Sequence, residues 1–422
     1  MLLLLALPQW SLALVVPAWA NLLQRVPQRS ANDARVYDAA RGDAEPDWYD
    51  AENAPLTLYR ERNGWCPYSE RVWLTLELKQ IEYATVLIDN TGPGPRPRSY
   101  GGSTPQLHFP GAARPMGESL DLMRELDERY PETRQLWSAA DDVSAMVGAF
   151  KRSFPSNARP SSRSAFLFTW DGPLPRRDFE AALDKTEALL TTHDGPFFCG
   201  APLSAADVAW APFLERYAAQ LPALHEGLSP RHTPERWPRL SAWYEAMEAE
   251  LPEYACRVRG EDESWRRVLA MQGYGNAGVT PSLVVNAAAA GDGDRAVGDG
   301  GSVWDAYARD RQPHVAPSPA AQCAARVVHN REAITEDAVR RKVLDASREA
   351  VDLALRGMCA ALLAAGQADA PAEQDAATSG AAAVARYLEQ RVCVPRDMGA
   401  LEAAELRALA ERLESVGTMA DD

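Results

Sequence analysis

Apolar and polar residues alternate along Leu56-Thr57-Leu58-Tyr59-Arg60, the period of a half-buried strand. Val72-Trp73-Leu74-Thr75-Leu76-Glu77-Leu78-Lys79 instead carries the spacing of an amphipathic helix. Between them, Gly64-Trp65-Cys66-Pro67-Tyr68-Ser69-Glu70-Arg71 reads as a turn and the first helical turn. Residues 82–88 are β-branched and aromatic, a second strand, and residues 89–102 are packed with Gly and Pro, a loop. Short strands are predicted at 104–109 and 113–116, then a helix at 118–130. The order of strand, helix, strand, loop, strand, strand and helix makes residues 56–132 an α/β domain.

Past residue 140 the pattern turns helical, with helices predicted at 141–154, 176–192, 204–220, 234–250 and 262–271, so 140–272 reads as an all-α domain. Ser204 and Asp207 form a capping box, with Leu203 and Val208 placed for the hydrophobic staple. Losing either Ser204 or Asp207 is expected to cost about 1 kcal/mol. The insert 155–175 holds Phe166-Leu167-Phe168-Thr169-Trp170, either tucked into the core or forming the wall of a second-substrate pocket. Residues 274–302, rich in Gly, Ala and Asp, read as a linker. Residues 303–422 read as a separate helical module, either a docked bundle or a partner-binding unit. In it Val339, Val343, Val351, Leu355, Met358 and Leu362 line one long helix. A low-complexity stretch, 364–382, and a last helix, 400–415, complete it.

The first 37 residues read as a presequence. An apolar stretch at 1–16, interrupted by Pro8 and Gln9, precedes Ala18-Trp19-Ala20, which has the small-X-small form of a signal-peptidase site. Arg25, Arg29 and Ser30 occur before the first acidic residue, Asp33, a composition resembling a transit peptide. The pairing suggests bipartite delivery to a plastid; a secretory signal, or an over-long start ahead of a cytoplasmic protein, are the alternatives.

A net charge of -15 argues against nucleic acid or an anionic membrane as the main partner. The six cysteines are too sparse and uneven for a disulfide scaffold or a paired zinc motif, and the six histidines have no ligand spacing, so no metal is expected. The glycines at 291–301 follow no strand and open no helix, which excludes a nucleotide loop.

Cys66 carries the chemistry. Proline at the first helical position leaves the following N–H groups directed at the sulfur, a setting that favours thiolate. Ser69 stands where a Cys-X-X-Cys motif would place its resolving thiol, so Cys66 is expected to be an exposed, ionised monothiol that needs an outside thiol to finish its reaction.

Cys-Pro-Tyr-Ser-Glu-Arg-Val resembles the Cys-Pro-Phe-Ala/Ser-X-Arg-Val of the omega, lambda and dehydroascorbate reductase classes of the glutathione transferase superfamily. Gly117-Glu118-Ser119-Leu120-Asp121-Leu122-Met123 is similar to the lambda class. The resemblance spans roughly residues 56–271 and implies a thioredoxin-like domain followed by the all-helical transferase domain, with glutathione as co-substrate. It makes Cys66 the nucleophile, flanked by Pro67 and Tyr68. It implies a cis Pro105, with Thr104 pairing its backbone with the cysteinyl part of glutathione, and Glu118 and Ser119 on the γ-glutamyl end. Arg96, where the omega class carries Lys-Pro-X-Trp-Phe, would reach the glycyl carboxylate. The implied function is thiol transfer or dehydroascorbate reduction through a Cys66–glutathione mixed disulfide. Conjugation of glutathione to apolar electrophiles and a non-catalytic adaptor are the alternatives, and homodimers are common in the superfamily.

Overall fold

The computed structural model describes residues 16–43, 54–90, 95–97, 100–138, 140–154, 167, 173–269, 300–365 and 380–420. The apolar stretch 1–15, most of the insert with its aromatic run, the linker up to residue 299 and most of the low-complexity stretch lie outside them.

The described chain divides into two compact units: Gln28–Ser318 with Val392–Ala403, and Met1–Pro27 with Pro319–Arg391 and Ala404–Asp422. That division corrects the expectation of a separate module at 303–422. Residues 303–318 and 392–403 belong with the first unit, where Trp304, Tyr307 and Leu401 share a buried cluster with Cys256.

In the first unit a four-stranded sheet has the order β1-β3-β2-β4, with β1 Val36–Asp38, β2 Thr57–Glu61, β3 Ala84–Ile88 and β4 Gln106–His108. β3 runs parallel to both β1 and β2, while β4 pairs antiparallel with β2, placing Leu58 opposite Thr85 on one side and Leu107 on the other. The strand expected at 113–116 is a single bridge, Leu107 to Met116. β1 straddles the end of the stretch read as presequence, residues 1–37; it is too short and too isolated in sequence for an alternation to reveal it.

Helix α1, Pro67–Leu78, and helix α2, Ser119–Arg129, pack together against the sheet. A buried ion pair, Lys79 to Asp127 at 2.7 Å, joins the end of α1 to α2. Lys79 also donates to the Arg134 carbonyl, and Asp127 accepts from the amides of Leu136 and Trp137, so every charge at this joint has polar partners.

The helical half comprises α3 Ala140–Ser153, α4 Arg176–Leu190, α5 Ala205–Leu224, α6 Pro238–Glu250 and α7 Asp262–Val268. α5 is buried along almost its whole length, as its apolar residues on every face require. Its capping box forms as expected, Ser204 accepting from Ala206 while Asp207 accepts from Ser204. Phe198 stacks on Trp210 at 4.8 Å in the same core.

In the second unit, helix Trp19–Arg25 contacts helix Arg348–Ala364, and the Trp19 indole donates to Asp352 at 2.7 Å. Residues 19–25, also read as presequence, are thus folded, and a cut after Ala20 would fall within this helix. The single helix expected across Val339 and Leu362 is two, Pro319–Arg340 and Arg348–Ala364. Lys342, Leu344, Asp345 and Ala346 between them have positive φ. Val351, Leu355, Met358 and Leu362 are buried; Val339 and Val343 are only half-buried. Among the described residues no helix is long and apolar enough to cross a membrane.

Candidate active site

The site grows out of the β2–α1 turn. Gly64 takes φ +74°, a backbone setting that a side chain disfavours. Cys66 follows as the N-cap of α1, and Pro67 fills the first helical position. The Thr104–Pro105 bond is cis, as expected, and brings the Thr104 carbonyl to 4.0 Å from the Cys66 sulfur, which donates to it. Thr104 and Cys66, 38 residues apart, therefore face one another.

The thiol is not the exposed, ionised group that the sequence suggests. Cys66 is 3 % exposed, and burial pushes its pKa up. The hydroxyl and amide of Ser69 and the amide of Tyr68 pull the other way, while the Glu61 carboxylate adds to the rise. The helix start acts as expected, but desolvation outweighs it. The neighbours of Cys66 include Thr104 and Ser69, and its charge reaches Tyr68, Arg71 and Tyr100. The resting group is a buried thiol.

Glu118 and Ser119 open α2. Glu118 has φ +64°, ψ +101°, a conformation that costs on the order of 1–3 kcal/mol in a residue with a side chain and that collects at ligand sites. Ser119 is buried and accepts from Arg71 Nη1 at 3.3 Å; Arg71 Nε is tied to the Ala209 carbonyl on α5. Burial lowers the Arg71 pKa to about 10, and its guanidinium lies 5.0 Å from the Phe213 ring. Tyr68 packs edge-on to Phe213 and senses the charges of Arg71, Cys66 and Glu118 together, so the fold brings the two motifs to one place.

Arg96 is exposed. It donates to Asn90 Oδ1 at 3.2 Å, while Asn90 Nδ2 donates to Thr104 Oγ1 at 2.9 Å. Asn90 and Arg96, with Tyr100, Gly102 and Ser103, line an open depression of about 530 Å³. The sequence does not single out Asn90: an asparagine two residues past β3 carries no chemical signal until it links Arg96 to Thr104. Arg71 was legible only as part of the motif. Among the described residues no cluster suits a metal ion.

A mixed sheet with a thiol at a helix start, facing a cis-proline loop and followed by an all-helical domain, defines a thioredoxin-like transferase architecture. Comparison with known proteins narrows the class. Residues 65–129 match the domain described as "Glutathione S-transferase, N-terminal domain", and residues 176–246 match "Glutathione S-transferase, C-terminal domain". Glutathione S-transferase L3 of Arabidopsis thaliana is 31% identical over 195 residues, 43% of this chain and 74% of the relative. Glutathione S-transferase L1 of the same plant is 31% identical over 194 residues, again 43% and 74%. Glutathione S-transferase DHAR2, also from Arabidopsis thaliana, is 32% identical over 160 residues, 36% of this chain and 66% of the relative. The chain belongs to the glutathione S-transferase family, as an enzyme of that superfamily.

Proposed function

We propose that the protein is a glutathione-dependent thiol transferase working through a mixed disulfide at Cys66. The observation that carries this reading is the convergence of a cysteine at a helix N-cap with the loop before a cis proline. A serine or tyrosine hydroxyl, the group that activates glutathione for conjugation, does not hold that place. The lambda and DHAR names of the relatives support the same chemistry.

Cys66 loses its proton as substrate enters, and its thiolate attacks the glutathione sulfur of a mixed disulfide. The Cys66–glutathione bond forms, the old disulfide breaks, and the departing thiolate takes up a proton. A glutathione thiolate then attacks the glutathione sulfur of the Cys66 adduct, releasing Cys66 and glutathione disulfide; the substrate thiol has been freed at the expense of one glutathione, the other half of the disulfide coming from the substrate. Thr104 would pair with the cysteinyl backbone, and Glu118 and Ser119, at a helix start, would hold the γ-glutamyl end. Tyr68 and Pro67 would wall the sulfur, and Arg96 would meet the glycyl carboxylate.

Cys66→Ser is expected to abolish glutathione-dependent reduction of hydroxyethyl disulfide and of dehydroascorbate; retention of either activity refutes the assignment. The burial of Cys66 favours a second reading, an adaptor that kept the shape and lost the chemistry. Failure to be retained on immobilised glutathione, together with no disulfide reduction by the wild type, would decide for it.

A further inference from the structure

Trp65, the residue before the nucleophile, is held at three points. Its amide donates to Glu61 Oε2 at 2.8 Å, and the other oxygen of the same carboxylate accepts from Asn63. Its carbonyl accepts from Arg216 Nη2 at 3.1 Å. Its indole packs on Ala219, Trp265 and Val268 and donates to the Cys393 sulfur at 3.4 Å.

Each hold is itself anchored. Arg216, 2 % exposed, pairs with Glu70 at 2.8 Å, donates to the Pro212 carbonyl and lies 3.9 Å from the Trp265 ring. Glu215 beside it accepts from Gly260, Tyr254 and Trp265. Cys393 arrives from the far end of the chain on a segment fastened to α7: the Val394 amide donates to Ser264 at 3.0 Å, and Arg267 donates to the Val392 carbonyl. The Pro395 ring of that segment lies 3.6 Å from where a side chain on Gly64 would begin.

Given the thiol-transfer reading above, we propose that Arg216 and Cys393 are positioning residues for Cys66, acting through Trp65. Fixing both backbone groups and the side chain of one residue leaves little freedom to the peptide that carries the next. The aim of the first N–H groups of α1 at the Cys66 sulfur therefore depends on a cation from α5 and a sulfur from the chain's C-terminal segment. This gives the segment that carries Cys393 a part in the reaction through Trp65.

Two variants of the full-length protein test this without changing the charge near the thiol. Arg216→Lys keeps the cation for Glu70 but loses the fork that also reaches Trp65, and Cys393→Val removes the indole's acceptor together with the long thiol contact to the neighbouring Val394 carbonyl. The readout is the pH dependence of iodoacetamide alkylation at Cys66, located by peptide mass spectrometry because the chain has six cysteines. Below the alkylation midpoint both variants are expected to react about two- to fivefold more slowly than wild type, the size of a helix-terminus effect on a charge, with the midpoint moved to higher pH. Cys393→Ser, which restores an acceptor, is expected to return the profile toward wild type. Unchanged profiles in both Arg216→Lys and Cys393→Val overturn the proposal, whatever they do to thermal stability. A shifted profile in a protein whose wild type reduces no disulfide would uphold the positioning and sink the thiol-transfer reading. Active reduction with unshifted profiles would do the reverse.

Discussion

Replacing Asp207 with alanine is expected to do far more than remove a helix cap. The side chain is fully buried, and its two oxygens accept four hydrogen bonds: from the amides of Phe198 and Ser204, the Ser204 hydroxyl and the Trp243 indole, at 2.8–3.0 Å. Alanine would strand three buried N–H donors, the Ser204 hydroxyl being free to turn. Each orphan costs about 1–3 kcal/mol, and part is returned because the carboxylate itself is held against desolvation, which raises its pKa. The net expectation is a loss of about 4 kcal/mol, well above the roughly 1 kcal/mol of an ordinary cap. Ser204→Ala is the internal standard: it removes the 3.3 Å bond from the Ala206 amide and the hydroxyl's donation to Asp207, which keeps its three N–H donors, and should stay near 1 kcal/mol. Asp207→Asn, which keeps one oxygen but points an amide at the Ser204 N–H, should fall between. Calorimetric unfolding of the three variants beside wild type, following the transition that includes α5, measures the series. If Asp207→Ala costs no more than Ser204→Ala, the four-donor arrangement is wrong.

Because burial raises the Cys66 pKa, its alkylation rate should keep climbing with pH beyond the range where an ordinary cysteine levels off; a plateau below neutrality would contradict the buried, protonated resting state. The same shift has a stability consequence. Its contribution is fully present below the ordinary thiol pKa and is lost as pH rises through the raised one, so Cys66→Ser should flatten the alkaline fall in thermal midpoint. Glu118→Gly relieves a positive φ and should stabilise the fold by about 1 kcal/mol while raising KM for glutathione severalfold; stabilisation without a change in KM would detach Glu118 from the ligand. Lys79→Met leaves the buried Asp127 carboxylate without its cation and should cost about 3 kcal/mol by denaturant titration, whereas a loss below 1 kcal/mol would show that the amides of Leu136 and Trp137 suffice.

The α/β domain and the helices after it were legible from sequence because strand and helix periods are set by neighbours two to four residues apart. The local cues at the site were equally plain. Pro67 after Cys66 marked a helix start, Pro105 and Glu118-Ser119 marked two further motifs, and Ser204 with Asp207 marked the box that opens α5. What those residues do energetically was not local. Cys66 has the neighbours of a thiolate within its own helical turn, yet burial, which involves the whole surrounding fold, keeps it protonated. Asp207 reads as a cap, but Phe198 and Trp243 make it a hub. The edge strand Val36–Asp38 exists only because β3 is there to pair with it. Trp65 is held by Arg216 and Cys393, 151 and 328 positions away. Desolvation and long-range pairing arise only once the chain has closed on itself, so no window of sequence contains them.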